Sequence, residues 1–349
     1  MNHESLSDLI YEQVKLPIFQ NRMFDTEEEA KACPTGDIRL VEDQRTGLIY
    51  NSAFHPQVMA YDTNYQNEQS LSLLFQQHLE SISQIIYKFI GRESIIEIGC
   101  GKGFFLEMLL KKGFDITGYD PAYEGNNPRV MKQTFKFGVE AKANGLVLRH
   151  VLEHIQDPFN FLVELKKNNG GSGKIYIEVP CFDWICKHRA WYDIYYEHVN
   201  YFRISDFYRM FDNVIESGLL FGGQYLYIVA ELSTIREPEL DMSDRVIFPE
   251  DFTQNLLIAE QNDTAVWGGA SKGVIFTLLK ERVGQPISMV IDINPAKQGK
   301  YLPATGLLVQ SPSEAIDKLP RGSTIYIMNP NYSEEIRQMS NNLFNYIVI

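Results

Sequence analysis

Apolar residues follow two rhythms along the chain. Between 70 and 90, Leu71, Leu74, Phe75, Leu79, Ile82, Ile85 and Ile86 recur at helical spacing, which predicts a long helix with one buried face. A short apolar run at 94–98 follows and ends in Gly99-Cys100-Gly101-Lys102-Gly103, which reads as a strand entering a tight turn. A helical stretch at 104–112 and a second strand at 115–119 complete a β-loop-α-β unit, the kind that builds parallel, doubly wound sheets. Further strands are predicted at 145–148, 174–179, around Leu219 and at 225–231, with helices at 157–167 and 205–217.

Polar stretches divide the chain into three units. The first, 1–69, is irregular, with turn signals at 34–36 and 45–47 and short strands at 38–41 and 48–51, and reads as a small β-rich cap. The core spans 70–238. A charged, proline-containing stretch at 236–244 marks a boundary, and from 239 to 349 the α/β alternation restarts. It brings a strand at 264–267, a glycine turn at 268–273, a helix at 274–282 and a strand at 287–292 that ends in an acid. Later strands are expected at 307–309, 324–328 and 346–349, with a helix at 333–341. The fold class is α/β.

Composition narrows the chemistry. With 349 residues, 44% hydrophobic and 22% charged, the chain falls in the globular range and has length for two or three domains. A formal charge of −13 without clustered Lys and Arg argues against nucleic acid and leaves small molecules as the expected partners. No apolar run predicts a membrane span and no basic-then-apolar leader is present, so a cytoplasmic location is expected. Cys33, Cys100, Cys181 and Cys186 are too few and too irregular for a disulfide framework, and reduced, mostly buried thiols are expected.

A strand that turns sharply into a helix while a ligand approaches its backbone needs residues without a Cβ, which also accept positive φ. The spacing at Gly99, Gly101 and Gly103 is G-x-G-x-G and not the G-x-G-x-x-G of dinucleotide enzymes. Glu97 precedes it, and Asp120 ends the next strand, where an acid can accept hydrogen bonds from both ribose hydroxyls. An acidic first strand suits a ligand carrying an ammonium and a sulfonium and no phosphate. A nucleotide-binding or purely structural turn is the alternative.

The stretches IIEIGCGKGFFLEML, GYDPAYEG, LRHVLEHIQDPFNFL, IYIEVP, YEHVNYF, VWGGASKG, IDINPAKQGKYLPATG and IMNPNY together resemble the S-adenosylmethionine-dependent sugar C-methyltransferases of deoxysugar pathways. The resemblance covers essentially 60–349. It implies a class I methyltransferase Rossmann-like core, a small N-terminal cap and a second, C-terminal Rossmann-like domain, with S-adenosylmethionine as cofactor. It assigns the cofactor to Glu97, Gly99, Gly101, Gly103, Asp120 and Pro121, with the backbone around Arg149 and His150 near the sulfonium. It further implies a nucleotide-linked 4-keto sugar as acceptor, His198 as general base with Glu197 beside it, and Tyr65 as a donor near the sugar carbonyl. Tyr196, Asn200 and Lys272 fall on the substrate side. The cap departs from the family: where relatives hold zinc with four cysteines, this chain has only Cys33, and Glu42-Asp43-Gln44-Arg45 stands in place of a C-x-x-C. No zinc is therefore expected there, and the cap is expected to hold by packing alone.

Four further features carry weight from the residues themselves. The segment 191–202 is dense in aromatics and titratable groups, as befits a substrate wall, and a histidine with an ordinary pKa near 6.5 is a usable base at neutral pH. His150-Val-Leu-Glu-His154 matches the zinc pattern H-x-x-E-H, but it directly follows a core strand, so the metal reading is set aside and His154 is taken as a structural helix-face residue. His78 reads as a polar-face or capping residue. The turn at 268–273 suits a diphosphate with Lys272 as counter-charge, and a structural turn fits equally. Two other functions stay open: O-methylation of a sugar or small metabolite, and a non-catalytic binding protein on the same fold.

Overall fold

The computed structural model describes residues 7–59, 72–135, 142–258 and 262–349. Its centre is a seven-stranded sheet in the order Val214–Leu220, Tyr225–Glu231, Lys174–Pro180, Gly145–Arg149, Ile95–Ile98, Ile116–Tyr119, Val130–Met131. The last five strands run parallel, and Tyr225–Glu231 and Val214–Leu220 add an antiparallel hairpin at one edge. Parallel strands need crossovers that cover both sheet faces, so Ile95–Ile98 is buried along its whole length. On one face the helix Leu73–Phe89, capped by the Ser72 hydroxyl, packs Phe75, Leu79, Ile82 and Ile86 against Leu106, Val147, Tyr176 and Val229. On the other, Leu162 and Leu165 of the helix Pro158–Asn168 join Leu146, Leu148 and Ile177 in the main core.

The helix expected at 205–217 is shorter. It spans Ile204–Met210, and the backbone turns extended at Phe211 so that Val214–Leu220 can pair with Tyr225–Glu231. Val214 and Ile215 suit a pleated edge better than a helix, and pairing decides the matter.

The cap is an antiparallel sheet of Ser7–Pro17, Thr35–Asp43, Ile49–Asn51 and Asn200–Tyr201. Its first strand, and the helix Glu27–Lys31, were not legible in the sequence, and its fourth strand comes from the core. Packing alone does not hold it, contrary to expectation. The buried Glu42 accepts hydrogen bonds from Val246 N at 3.0 Å and Arg245 Nε at 3.1 Å, tying the sheet to the segment after the core. Asp43 Oδ1 accepts from Thr46 N at 2.7 Å and Arg45 N at 2.9 Å, which closes the turn where a C-x-x-C was looked for.

The C-terminal unit is a parallel sheet in the order Val309–Gln310, Met289–Ile291, Thr264–Trp267, Thr324–Ile327, Asn345–Val348. The helix Ser271–Arg282 follows its glycine turn and docks Phe276 on Trp191 of the core, with ring centroids 5.3 Å apart. Phe24 and Tyr301 exchange backbone hydrogen bonds at 3.2 and 2.9 Å, so the cap also meets this unit. Among the described residues no helix is long and apolar enough to cross a membrane.

Gly273 lets the second turn close. A Cβ there would stand 1.9 Å from the Gly268 carbonyl oxygen, a backbone atom that cannot swing aside. Gly273→Ala is expected to cost about 1–3 kcal/mol, read as a lower midpoint in urea unfolding at unchanged slope. An unchanged midpoint would mean that the turn relaxes freely.

Candidate active site

The strand Ile95–Ile98 delivers the first glycine turn. Gly99, Gly101 and Gly103 have φ of +74°, +54° and +81°, and a Cβ on Gly99 would stand 2.4 Å from Val151 Cγ2. Gly101 N donates to Asp120 Oδ2 and Ala122 N to Asp120 Oδ1, both at 2.8 Å, so the acid locks the turn against the end of the second strand. Each carboxylate oxygen still has a lone pair for a ribose hydroxyl. Pro121, next in the chain, is exposed. Glu97 is 2% exposed, and its Oε2 has no hydrogen-bond partner among the described residues. Its nearest cation is Arg149 Nη1 at 3.9 Å. Burial pushes the Glu97 carboxyl up to about 7 against the pull of Arg149. A buried carboxyl oxygen without a partner fits a ligand with a cationic end, and Gly101, where a Cβ would meet nothing within 4 Å, fits an adenosyl group lying on the backbone.

Behind this turn lies a fully buried carboxylate, Glu178, on the strand Lys174–Pro180. The Tyr176 hydroxyl donates to it at 2.8 Å, His78 Nε2 lies at 3.3 Å, His150 Nε2 at 3.1 Å and Arg149 Nε at 3.8 Å. Burial works to raise its pKa, but His150, His78 and Arg149 outweigh that and hold it well below the usual carboxylate range. His78 is thus a buried partner of a carboxylate and not a polar-face residue. His150 takes φ of +53° just after the strand Gly145–Arg149, which sets its Nδ1 3.3 Å from Glu153 Oε1. Burial disfavours the imidazolium, yet the contacts with Glu153 and Glu178 prevail and push its pKa up to about 9. It is a cation at neutral pH.

A cavity of about 270 Å³ opens between the core and the C-terminal unit. His150, Glu153, His154, Glu197 and His198 line it from the core side, and Lys272, Asp292, Asn294 and Lys297 from the other. His198 is 5% exposed, and its Nδ1 has no hydrogen-bond partner among the described residues. Burial, with the neighbouring His154, His150 and Lys272, keeps its pKa well below the ordinary histidine value, so the ring is neutral. His154 belongs to the short 3₁₀ turn Leu152–His154 and not to an α-helix face. Its Nδ1 donates to the Glu197 carbonyl at 2.8 Å, and its ring centroid is 5.0 Å from that of His198. Sequence reasoning missed His154 as a cavity residue, although the H-x-x-E-H pattern pointed at it.

Other residues taken for the substrate side sit elsewhere. The Tyr196 hydroxyl accepts from His55 N at 2.9 Å and the ring packs on Phe54 beneath the cap, away from the cavity lining. Asn200 donates to the Ile155 carbonyl at 2.6 Å and is likewise off the lining. Lys272 does line the cavity, but its Nζ is 2.8 Å from Asp193 Oδ2 and 2.8 Å from Gln224 Oε1, so its charge is already matched. Tyr61 and Tyr65 lie outside the described residues. The second turn repeats the first: Gly269 N donates to Asp292 Oδ2 at 2.9 Å. Beside it, the buried Asn294 Nδ2 has no partner among the described residues.

Comparison with known proteins places names beside this geometry. Residues 59–214 match the family described as "Methyltransferase domain", and residues 250–346 match "C-methyltransferase C-terminal domain". The C-methyltransferase NovU of Streptomyces niveus is 22% identical over 308 residues, covering 74% of this chain and 72% of that protein. Among solved structures, the PH0226 protein from Pyrococcus horikoshii OT3 aligns with a TM-score of 0.40 at 11% identity, over 51% of this chain and all of that one. The Burkholderia thailandensis 1,6-didemethyltoxoflavin-N1-methyltransferase, solved with S-adenosylhomocysteine, aligns with a TM-score of 0.36 at 14% identity, over 53% of this chain and 95% of that one.

The raised pKa of Glu97 has a signed consequence. Below about 7 the carboxyl is protonated in the free protein and offers no charge to a cationic ligand. The Kd for S-adenosylmethionine is therefore expected to rise as pH falls below 7, by up to roughly tenfold per unit. Titration calorimetry between pH 5.5 and 8 on the native chain and on Glu97→Gln checks this, and an equally steep dependence in the variant would assign the effect to another group.

Proposed function

We propose that this S-adenosylmethionine-dependent methyltransferase, whose two α/β units match a methyltransferase domain and a C-methyltransferase C-terminal domain, takes as acceptor a nucleotide-linked 4-keto deoxysugar and methylates it on the carbon next to the ketone. The observation that carries this reading is the pairing, on one cavity, of the neutral, buried His198 with a second acid-locked glycine turn at Asp292. The sequence resemblance to sugar C-methyltransferases supports the sugar.

When bound, the cofactor supplies an electrophilic methyl group. Glu97 meets its cationic end, the turn Gly99 to Gly103 receives the adenosyl group, and Asp120 holds the ribose. On the acceptor side, Asp292 and the Gly269 turn take the nucleoside, with Asn294 offering an unused donor. Holding both reactants in line can supply roughly 7–11 kcal/mol of the barrier without any further chemistry. The ketone acidifies the neighbouring C–H, and His198 accepts that proton on a ring nitrogen. His154, oriented by the Glu197 carbonyl, steadies the ring of His198 and keeps a lone pair turned away from that carbonyl. The imidazolium of His150, on the same wall, favours negative charge as it develops on the enolate oxygen. Tyr65 keeps the role of carbonyl donor that the resemblance implies.

His198→Ala is expected to lower kcat on the order of a hundredfold or more while leaving the Kd for S-adenosylmethionine unchanged. It also removes exchange of solvent deuterium into a 4-keto nucleotide-sugar in the absence of cofactor. Wild-type turnover in the variant would remove His198 from this role. A labelled methyl group found on oxygen would overturn the acceptor chemistry.

A further inference from the structure

The mechanism leaves one group on the cavity wall without a task. Glu153 is 1% exposed, and its Oε2 has no hydrogen-bond partner among the described residues, while Oε1 stays with His150. His154 and His198 line the same cavity, and one donor atom from each of the three residues lies within 4.8 Å of the other two. The two imidazoles are prepared for coordination in different ways. His154 donates its Nδ1 proton to the Glu197 carbonyl, so Nε2 is the nitrogen left to meet a metal, the arrangement that orients metal-binding histidines. His198 keeps a buried Nδ1 with no partner among the described residues.

Two imidazole nitrogens and one carboxylate oxygen form a borderline donor set that suits zinc, cobalt or nickel and not magnesium or calcium, which prefer oxygen throughout. Glu153 brings the negative charge of the set, sharing its Oε1 with His150, and the charge of Lys272 is taken up by Asp193. The ligands come from a short turn and from a buried aromatic segment, so they are held before any ion arrives.

We propose that a divalent transition-metal ion of the zinc class binds Glu153, His154 and His198, with its open position facing the cavity, and thereby occupies the base. The inhibitory consequence rests on His198 being the base, whereas the binding does not. A metal at this place withdraws the lone pair that accepts the substrate proton and competes with the acceptor for the cavity, leaving the cofactor turn untouched.

The test uses the full chain, freed of metal, titrated with cobalt(II) and zinc chloride. Saturable binding of about one ion per chain is expected, with visible cobalt bands of a nitrogen and oxygen site and without the intense charge-transfer band that thiolates give. Glu153→Gln and His154→Gln should each weaken binding roughly tenfold or more, with the S-adenosylmethionine affinity reporting that each variant is folded. Zinc should inhibit methylation competitively with the acceptor and reversibly with a chelator. Absence of saturable binding, a thiolate charge-transfer band, or affinity unchanged in both variants would overturn the site. If zinc binds as proposed but His198→Ala still methylates, the base assignment fails and the site stands. If His198→Ala is inactive and no ion binds, only the site fails.

Discussion

A carboxylate sealed from water constrains the centre of this protein. Glu178 is wholly buried, and its charge is tolerable only because Tyr176, His78, His150 and Arg149 converge on it. Those partners come from the helix Leu73–Phe89, the end of the strand Gly145–Arg149 and the strand of Glu178 itself. Removing one partner of such a group typically costs about 3–5 kcal/mol, so the three elements are bound to one register. His150 takes its positive φ at this point, with its ring between Glu153 and Glu178. From Glu153 the arrangement passes to its neighbour His154 and through the Glu197 carbonyl to His198.

The two Rossmann-like units solve the same local problem in the same way. In each, a glycine N–H donates to the acid that ends the second strand, Gly101 to Asp120 and Gly269 to Asp292, at 2.8 and 2.9 Å. The lock sets the acid and the turn before a ligand enters, which lowers the ordering cost of binding. Around the locks the two sites differ. Glu97 leaves a buried acceptor near the first, and Asn294 leaves a buried donor near the second. The difference between the two turns thus lies in the residues beside them and not in the turns themselves.

Legibility in the sequence followed the range of the interactions. The first glycine turn, Asp120 and the positions of most core strands along the chain depend on sequence neighbours, and pattern alone indicates them. His78 was misjudged because helical spacing says which face a residue occupies and nothing of a carboxylate on a distant strand. The helix at 205–217 was drawn too long because the preference of 214–220 for extended structure comes from its hairpin partner. Ser7–Pro17 escaped because most of its described residues are exposed or only half-buried, which left little alternation to read. His154 was set aside through the right observation and the wrong surroundings: the spacing was seen, but the 3₁₀ turn that presents it to His198 is not written in the spacing. Tyr196 and Lys272 have the residue types a substrate wall needs, and it took their partners, His55 and Asp193, to show how they are engaged.

The cavity wall draws on Asn21 and Ser72, on His150 and His198, and on Asp292 and Tyr332, so it is gathered from nearly the whole length of the chain. The cofactor turn needs only neighbouring strands. During synthesis, when N-terminal parts emerge and fold first, the first glycine turn is therefore in place while much of the cavity wall is still being translated. The cavity is complete only after the last strands have docked, so an unfinished chain can hold one ligand on its first turn but lacks the wall against which a second would lie.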